Sequence, residues 1–150
     1  MNKQTSQQIG ASLEKEVRDL LDQWAVEYRL KPRFRTIFGT DIELDYLLPA
    51  TKERPPVVLE CKNFAVDAKN PEDSKRQKTQ EALWLLIQVK KYCAETAGAR
   101  LILITGQTNF RGDQIDLLKH ELGEDFHIVP IAEKILLRQL LGLSDRPLSA

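Results

Sequence analysis

Val57-Val58-Leu59-Glu60-Cys61-Lys62 is the most informative stretch of this 150-residue chain. Its apolar start reads as a short, largely buried strand that runs directly into charge. Side chains alternate along a strand, so Glu60 and Lys62 face one side and Cys61 the other. A carboxylate and an amine at the end of an apolar strand are costly to bury without a task or a partner.

The residues on either side supply a second carboxylate. Asp45 lies in the preceding apolar strand, Ile42 to Leu48. Pairing of the two strands, parallel or antiparallel, would bring Asp45 beside Glu60. Two carboxylates on adjacent strands are hard oxygen ligands that suit Mg²⁺. Such an ion polarises a scissile phosphate and activates a water, and Lys62 could orient that water or stabilise developing charge. A lone Glu-x-Lys is weak, since about one is expected by chance in a chain this rich in Glu and Lys. The position of Asp45 upstream, and the strand leading into Glu60, give the pattern its weight. The bland alternative is a surface ion pair at strand ends.

The remaining periodicity predicts an alternation of helices and strands. Ser6 or Ser12 can cap a first helix, whose stripe is Ile9, Leu13, Val17, Leu20, Leu21 and Trp24. Strands follow at Arg33 to Phe38 and Ile42 to Leu48, turning at Gly39-Thr40-Asp41. Pro49 to Pro56 reads as a polar loop and Asn63 to Ser74 as a polar connection. A long helix is expected over about 75–96, with Ala82, Leu85, Leu86, Val89 and Cys93 on its apolar face. A buried strand Arg100 to Thr105, a helix Asp113 to Leu122, a strand Phe126 to Val129 and a helix Ala132 to Leu141 complete the order. The pattern predicts a single α/β domain with a mixed central sheet, the early strands antiparallel and the later crossovers helical.

Composition narrows the function classes. Two cysteines, two histidines and no Cys-x-x-Cys pair exclude a zinc site, and with it a His-Asn-His or zinc-finger nuclease. No Gly-x-Ser-x-Gly elbow, Walker loop or Gly-x-Gly-x-x-Gly fingerprint supports a serine hydrolase or a nucleotide cofactor. No apolar run reaches the roughly 20 residues that span a bilayer, and Met1 to Ser12 carry no secretory h-region, so a cytoplasmic protein is expected. Basic and acidic residues balance at 22 each. Nucleic-acid binding would then depend on local basic surface rather than on net charge.

At this point the chain resembles a known family. Gly10-Ala-Ser-Leu-Glu14, Glu43-Leu-Asp45 and Val58-Leu-Glu60-Cys-Lys62 are similar to the motifs of PD-(D/E)XK nucleases. This superfamily includes type II restriction enzymes and archaeal Holliday-junction resolvases. The resemblance covers about residues 9–105 and implies a restriction-endonuclease-like core. It implies Asp45 and Glu60 as metal ligands, Lys62 as the catalytic lysine, Glu14 in support, and the Cys61 carbonyl as a further ligand. Leu44 stands where the family's proline would be. Helix geometry alone does not choose Glu14 over Glu16, since each lies about 70–90° from the centre of the apolar stripe. The Gly-x-x-x-Glu spacing resembles the resolvase pattern, and that resemblance implies Glu14. Gln88 and Tyr92 resemble a Gln-x-x-x-Tyr motif of some members, with Gln80 a competing position. The size and motifs also resemble the intron-encoded homing endonuclease of the superfamily, which implies a long double-stranded DNA site, a double-strand break and a homotetramer.

For DNA contact, Arg29, Lys31, Arg33 and Arg35 alternate in a near-extended stretch and could form one phosphate-tracking ridge, with Tyr28 and Phe34 packed opposite. An ordinary solvated strand face is the alternative. Lys69, Lys75, Arg76 and Lys78 are a second candidate, and a charged linker explains them equally well. Trp24 and Trp84 read as core or interface residues. The leucine-rich last helix is expected at a subunit interface or in the core. The reading is an oligomeric, Mg²⁺-dependent DNA endonuclease. A Holliday-junction resolvase, a type II restriction enzyme and a non-catalytic DNA-binding module with the same fold are its rivals.

Overall fold

Strands that are apolar on both sides need cover on both sides. The computed structural model describes residues 6–62, 71–106 and 112–143, with side chains in the first turns of some helices outside that description. Strand β5 (Val57–Lys62) is buried along its length until Lys62, and β6 (Arg100–Thr105) is buried after Arg100. They pair in parallel at the centre of a five-stranded sheet. The other strands are β1 (Arg29–Leu30), β4 (Tyr46–Leu48) and β7 (Phe126–Pro130), in the order β1-β4-β5-β6-β7. The β1–β4 and β4–β5 pairs are antiparallel, and β6–β7 is parallel. The fold is therefore α/β, a mixed sheet flanked by helices.

Alternation along β5 divides the core in two. Val57, Leu59 and Cys61 pack with helix α1 (Ser6–Gln23) and with Leu137 and Leu141 of the C-terminal region. Val58 packs on the opposite face with Ala82, Leu86 and Val89 of helix α2 (Pro71–Tyr92) and with Leu122 of helix α3 (Gly112–Leu122). The expected stripe of α1 is buried from Leu13 to Trp24. Ala25 ends this helix at φ 55°, while Val26 N–H bonds to the Leu21 carbonyl and Ala25 N–H to that of Asp22. Helix α4 (Lys134–Leu140) ends in the same way, with Gly142 in the left-handed position and Leu143 N–H bonded to Arg138.

Several boundaries differ from the sequence reading. Helix α2 begins at Pro71, within the expected polar connection, because proline suits the first helical position. It ends at Tyr92, and a 3₁₀ turn (Ala94–Thr96) follows. The strand expected at Ile42 to Leu48 is broken. Its first part, β3 (Asp41–Glu43), pairs with β2 (Arg33–Arg35) in a separate two-stranded sheet, and only Tyr46–Leu48 joins the main one. Ile37 and Phe38, expected in the first strand, lie in the exposed hairpin turn, where Gly39 takes φ 79°. Pro32 has no N–H to extend a ladder, and the chain changes sheets there. Lys31 N–H bonds to the Asp45 carbonyl and Leu44 N–H to the Pro32 carbonyl across the switch.

The last helix serves the core through Leu137 and, just beyond its end, Leu141, while Ile135 and Leu136 remain exposed. No helix among the described residues is long and apolar enough to cross a membrane.

Arg54 braces the loop before β5 against the end of α4. Its Nε donates to the Leu141 carbonyl at 2.8 Å, and its Nη1 donates to the carbonyls of Pro49 at 2.6 Å and Pro55 at 3.2 Å. Arg54→Met keeps most of the buried stem and orphans these acceptors. It should lower the free energy of unfolding by about 2–3 kcal/mol, read as a lower urea midpoint. An unchanged midpoint would show that water replaces the guanidinium without loss.

Candidate active site

The β4–β5 register sets the geometry of the site. Tyr46 pairs with Leu59, so one step further along the antiparallel register Asp45 stands across from Glu60. Both are buried, at 7% and 4% exposure. Asp45 Oδ2 accepts the Cys61 backbone N–H at 2.7 Å, which ties it to the end of β5. Burial, followed by the hydrogen bond and charge of Asp45, pushes the Glu60 carboxyl well above the usual carboxylate range. Lys62, half-buried on the same face of β5, opposes that shift.

Helix α1 delivers the third carboxylate. The Tyr46 hydroxyl donates to the Glu14 backbone carbonyl at 2.7 Å, pinning this turn of α1 to β4. Glu14 is half-buried and meets the Lys31 ammonium at 3.1 Å, whereas Glu16 is exposed. Lys31 also lies 3.4 Å from Asp45 Oδ1. Partial burial works to lower the Lys31 pKa, but its hydrogen bonds and charge contacts with Glu14 and Asp45 outweigh burial and raise it. The Cys61 thiol is buried on the other face, and burial followed by the nearby carboxylates pushes its pKa up. Cys61 thus serves the site through its backbone.

Glu14 on α1, Asp45 at the bend before β4 and Glu60 on β5 are hard oxygen donors, and two of them are buried. In donor chemistry the set fits a divalent ion such as Mg²⁺. Among the described residues, no group of three or more His, Cys, Asp and Glu side chains is arranged to hold a metal as it stands. An ammonium, that of Lys31, sits between Glu14 and Asp45.

No family model, curated protein or solved structure matches this chain. Its chemistry is therefore read from the residues themselves.

The structure places Asp45 across from Glu60, keeps Lys62 on the Glu60 face of β5, and joins Glu14 to Asp45 through Lys31. The expected ridge of Arg29, Lys31, Arg33 and Arg35 does not form one face. Lys31 takes φ 50° and turns the chain, leaving Arg29 in the main sheet and Arg33 and Arg35 in the hairpin. Arg29 pairs with Glu95 at 3.4 Å, Arg33 with Glu43 at 3.8 Å and Arg35 with Asp41 at 3.9 Å. Phe34 is buried opposite as expected, and the Tyr28 hydroxyl donates to Asp22. Lys69 and the side chains of Lys75, Arg76 and Lys78 lie outside the described residues. Gln88 is half-buried on α2. The Tyr92 ring packs edge-on against Phe38, and its carbonyl accepts the Ile37 N–H, so Tyr92 serves the hairpin. The place of Lys31 was legible only indirectly, from the Lys31-Pro32 pair, where a proline interrupts an apparently continuous strand.

In the metal-free protein, folded Glu60 keeps its proton at pH values where the unfolded chain has lost it. The folded state then binds more protons, and stability falls as pH rises from the ordinary carboxylate range to the raised folded pKa. Thermal melts in chelator between about pH 5 and 8 should show a falling Tm for wild type. Glu60→Gln should flatten that profile and be the more stable protein at its upper end. An identical decline in the variant would assign the titration to another group.

Proposed function

We propose that the chain is a divalent-metal-dependent DNA endonuclease of the PD-(D/E)XK type, built on a restriction-endonuclease-like core. The observation that carries this reading is the burial of Asp45, at the bend that leads into β4, across from the buried Glu60 of β5, with Lys62 on the same face of β5. Charged groups so placed destabilise a fold unless they are partnered, and clustering of perturbed acids marks functional sites. A helix glutamate joining them through a shared counter-charge adds to the case.

In this reading Asp45 and Glu60 hold the metal, with Glu14 and the Cys61 carbonyl in support. A bound Mg²⁺ supplies Lewis-acid polarisation of the scissile phosphate and a lower pKa for a neighbouring water. The protein does the positioning. The Cys61 N–H fixes the orientation of Asp45, and the Tyr46 hydroxyl fixes the turn of α1 that carries Glu14. To hold the ion, the Glu60 carboxyl would have to be ionised. Lys62, at the open end of β5, orients the water and offsets charge developing on the phosphoryl oxygens.

The substrate is double-stranded DNA, cut within a long site in the manner of a homing endonuclease. One active site per chain cuts one strand, so a double-strand break needs at least two copies, and a symmetric homo-oligomer supplies them. The exposed Ile135 and Leu136 on α4 and Trp84 on α2 are apolar surface that such assembly would cover.

The test is cleavage of plasmid and long duplex DNA in Mg²⁺, with chelator as control. Wild type should cut, and Asp45→Ala and Lys62→Ala should each lower the rate by about 100-fold or more while retaining DNA binding in gel shifts. Retained binding with no metal-dependent cutting by wild type would instead make the chain a non-catalytic DNA-binding module. Cutting that survives both substitutions would place the active site elsewhere.

A further inference from the structure

Among the described residues, Lys31 and Ala25 are the non-glycine residues at positive φ. Ala25 closes a helix, whereas Lys31 sits where the chain leaves the main sheet for the hairpin. A left-handed backbone is unfavourable for a residue with a Cβ and persists only where its surroundings impose it. Its effect here is to bring the Lys31 side chain to the carboxylates instead of continuing the line of Arg29 and Arg33. The ammonium lies 3.1 Å from Glu14 Oε2 and 3.4 Å from Asp45 Oδ1. The other oxygen of Asp45 is already held by the Cys61 N–H. Lys31 thus contacts the one Asp45 oxygen left by β5, together with the glutamate that α1 brings.

The exposures matter as well. The Lys31 side chain is 44% exposed and that of Asp45 only 11%. The lysine reaches in from the surface on a flexible stem, so it can withdraw into solvent without opening the core. A lysine ammonium is a compact point charge, the kind of group that occupies a small cation's position between two carboxylates.

We propose that Lys31 is a built-in counter-cation that holds Glu14 and Asp45 in the metal-free protein, competes with the divalent ion for them and is displaced when the ion binds. This inference rests on the nuclease reading, in which these carboxylates are metal ligands. It makes Lys31 a positioning residue that keeps the acidic site assembled before loading and sets the metal concentration at which loading occurs.

The experiment is calorimetric titration of the full chain with Mn²⁺, without DNA, at physiological ionic strength. The proteins compared are wild type, Lys31→Met, Lys31→Gly, Lys15→Met and Asp45→Asn. Lys31→Gly suits the positive φ and keeps the fold should the methionine variant fail to fold. Lys15→Met removes a neighbouring cation that is paired with Asp19 and so controls for general charge. Losing two partly exposed ion pairs should make the folded Lys31 variants bind Mn²⁺ about three- to tenfold more tightly, with Lys15→Met within about twofold of wild type. Equal or weaker binding by the Lys31 variants overturns the inference, as does a matching gain in Lys15→Met. In either case the metal site stands if Asp45→Asn weakens binding. No Mn²⁺ binding by any of the proteins, or binding that Asp45→Asn leaves intact, overturns the metal-site reading and this inference with it.

Discussion

Burial of one carboxylate against another is the constraint around which this structure is arranged. Asp45 and Glu60 lose most of their hydration, and like charges in a shared low-dielectric site repel. The surroundings compensate group by group. The Glu60 carboxyl is pushed well above the usual carboxylate range, the Cys61 N–H holds one Asp45 oxygen, and the charge of Lys62 acts on Glu60. Lys31 supplies an ammonium to the other Asp45 oxygen. The arrangement is confined to one end of β5, and the rest of that strand is apolar on both faces. A rigid strand thus carries the polar cluster.

The two cores serve this end in different ways. The α1 side aligns the helix that bears Glu14, and Tyr46 does so twice, packing within that core and donating its hydroxyl to the Glu14 carbonyl. The α2 side backs the face on which Glu60 and Lys62 lie, through Val58 and its neighbours. Away from the site, Arg100 joins β6 to Asp125 at 2.7 Å and to the Leu140 carbonyl at 2.6 Å, bracing the sheet against α4 much as Arg54 does. Partial burial works to raise the Asp125 carboxyl, but hydrogen bonds from Arg100 and His127 outweigh it and hold the group below its ordinary value.

The balanced charge of the chain has a structural counterpart. Arg29, Arg33 and Arg35 each face a carboxylate, and the hairpin cations sit directly opposite Glu43 and Asp41 in the strand register. These exposed pairs are weak and salt-screened, so a phosphate backbone can compete for the arginines.

The sequence by itself determined the order of the helices and of the central strands, the helical stripe of α1 and the double burial of β5 and β6. Hydrophobic period and turn residues are local properties of a chain, and they survive without knowledge of its neighbours. It also placed Glu60 and Lys62 on one strand face, because side-chain alternation follows from backbone geometry alone. Tertiary structure decided the rest. Whether Asp45 met Glu60 depended on the antiparallel register of β4 against β5, a pairing between distant segments. The choice of Glu14 over Glu16 depended on how α1 rotates on the sheet, since both flank its apolar stripe. The split of the strand at Leu44-Asp45, and the turn of Lys31 into the site, arise where Pro32 passes the chain from one sheet to the other. Such features are written in pairings across the fold, and no single window of sequence contains both partners.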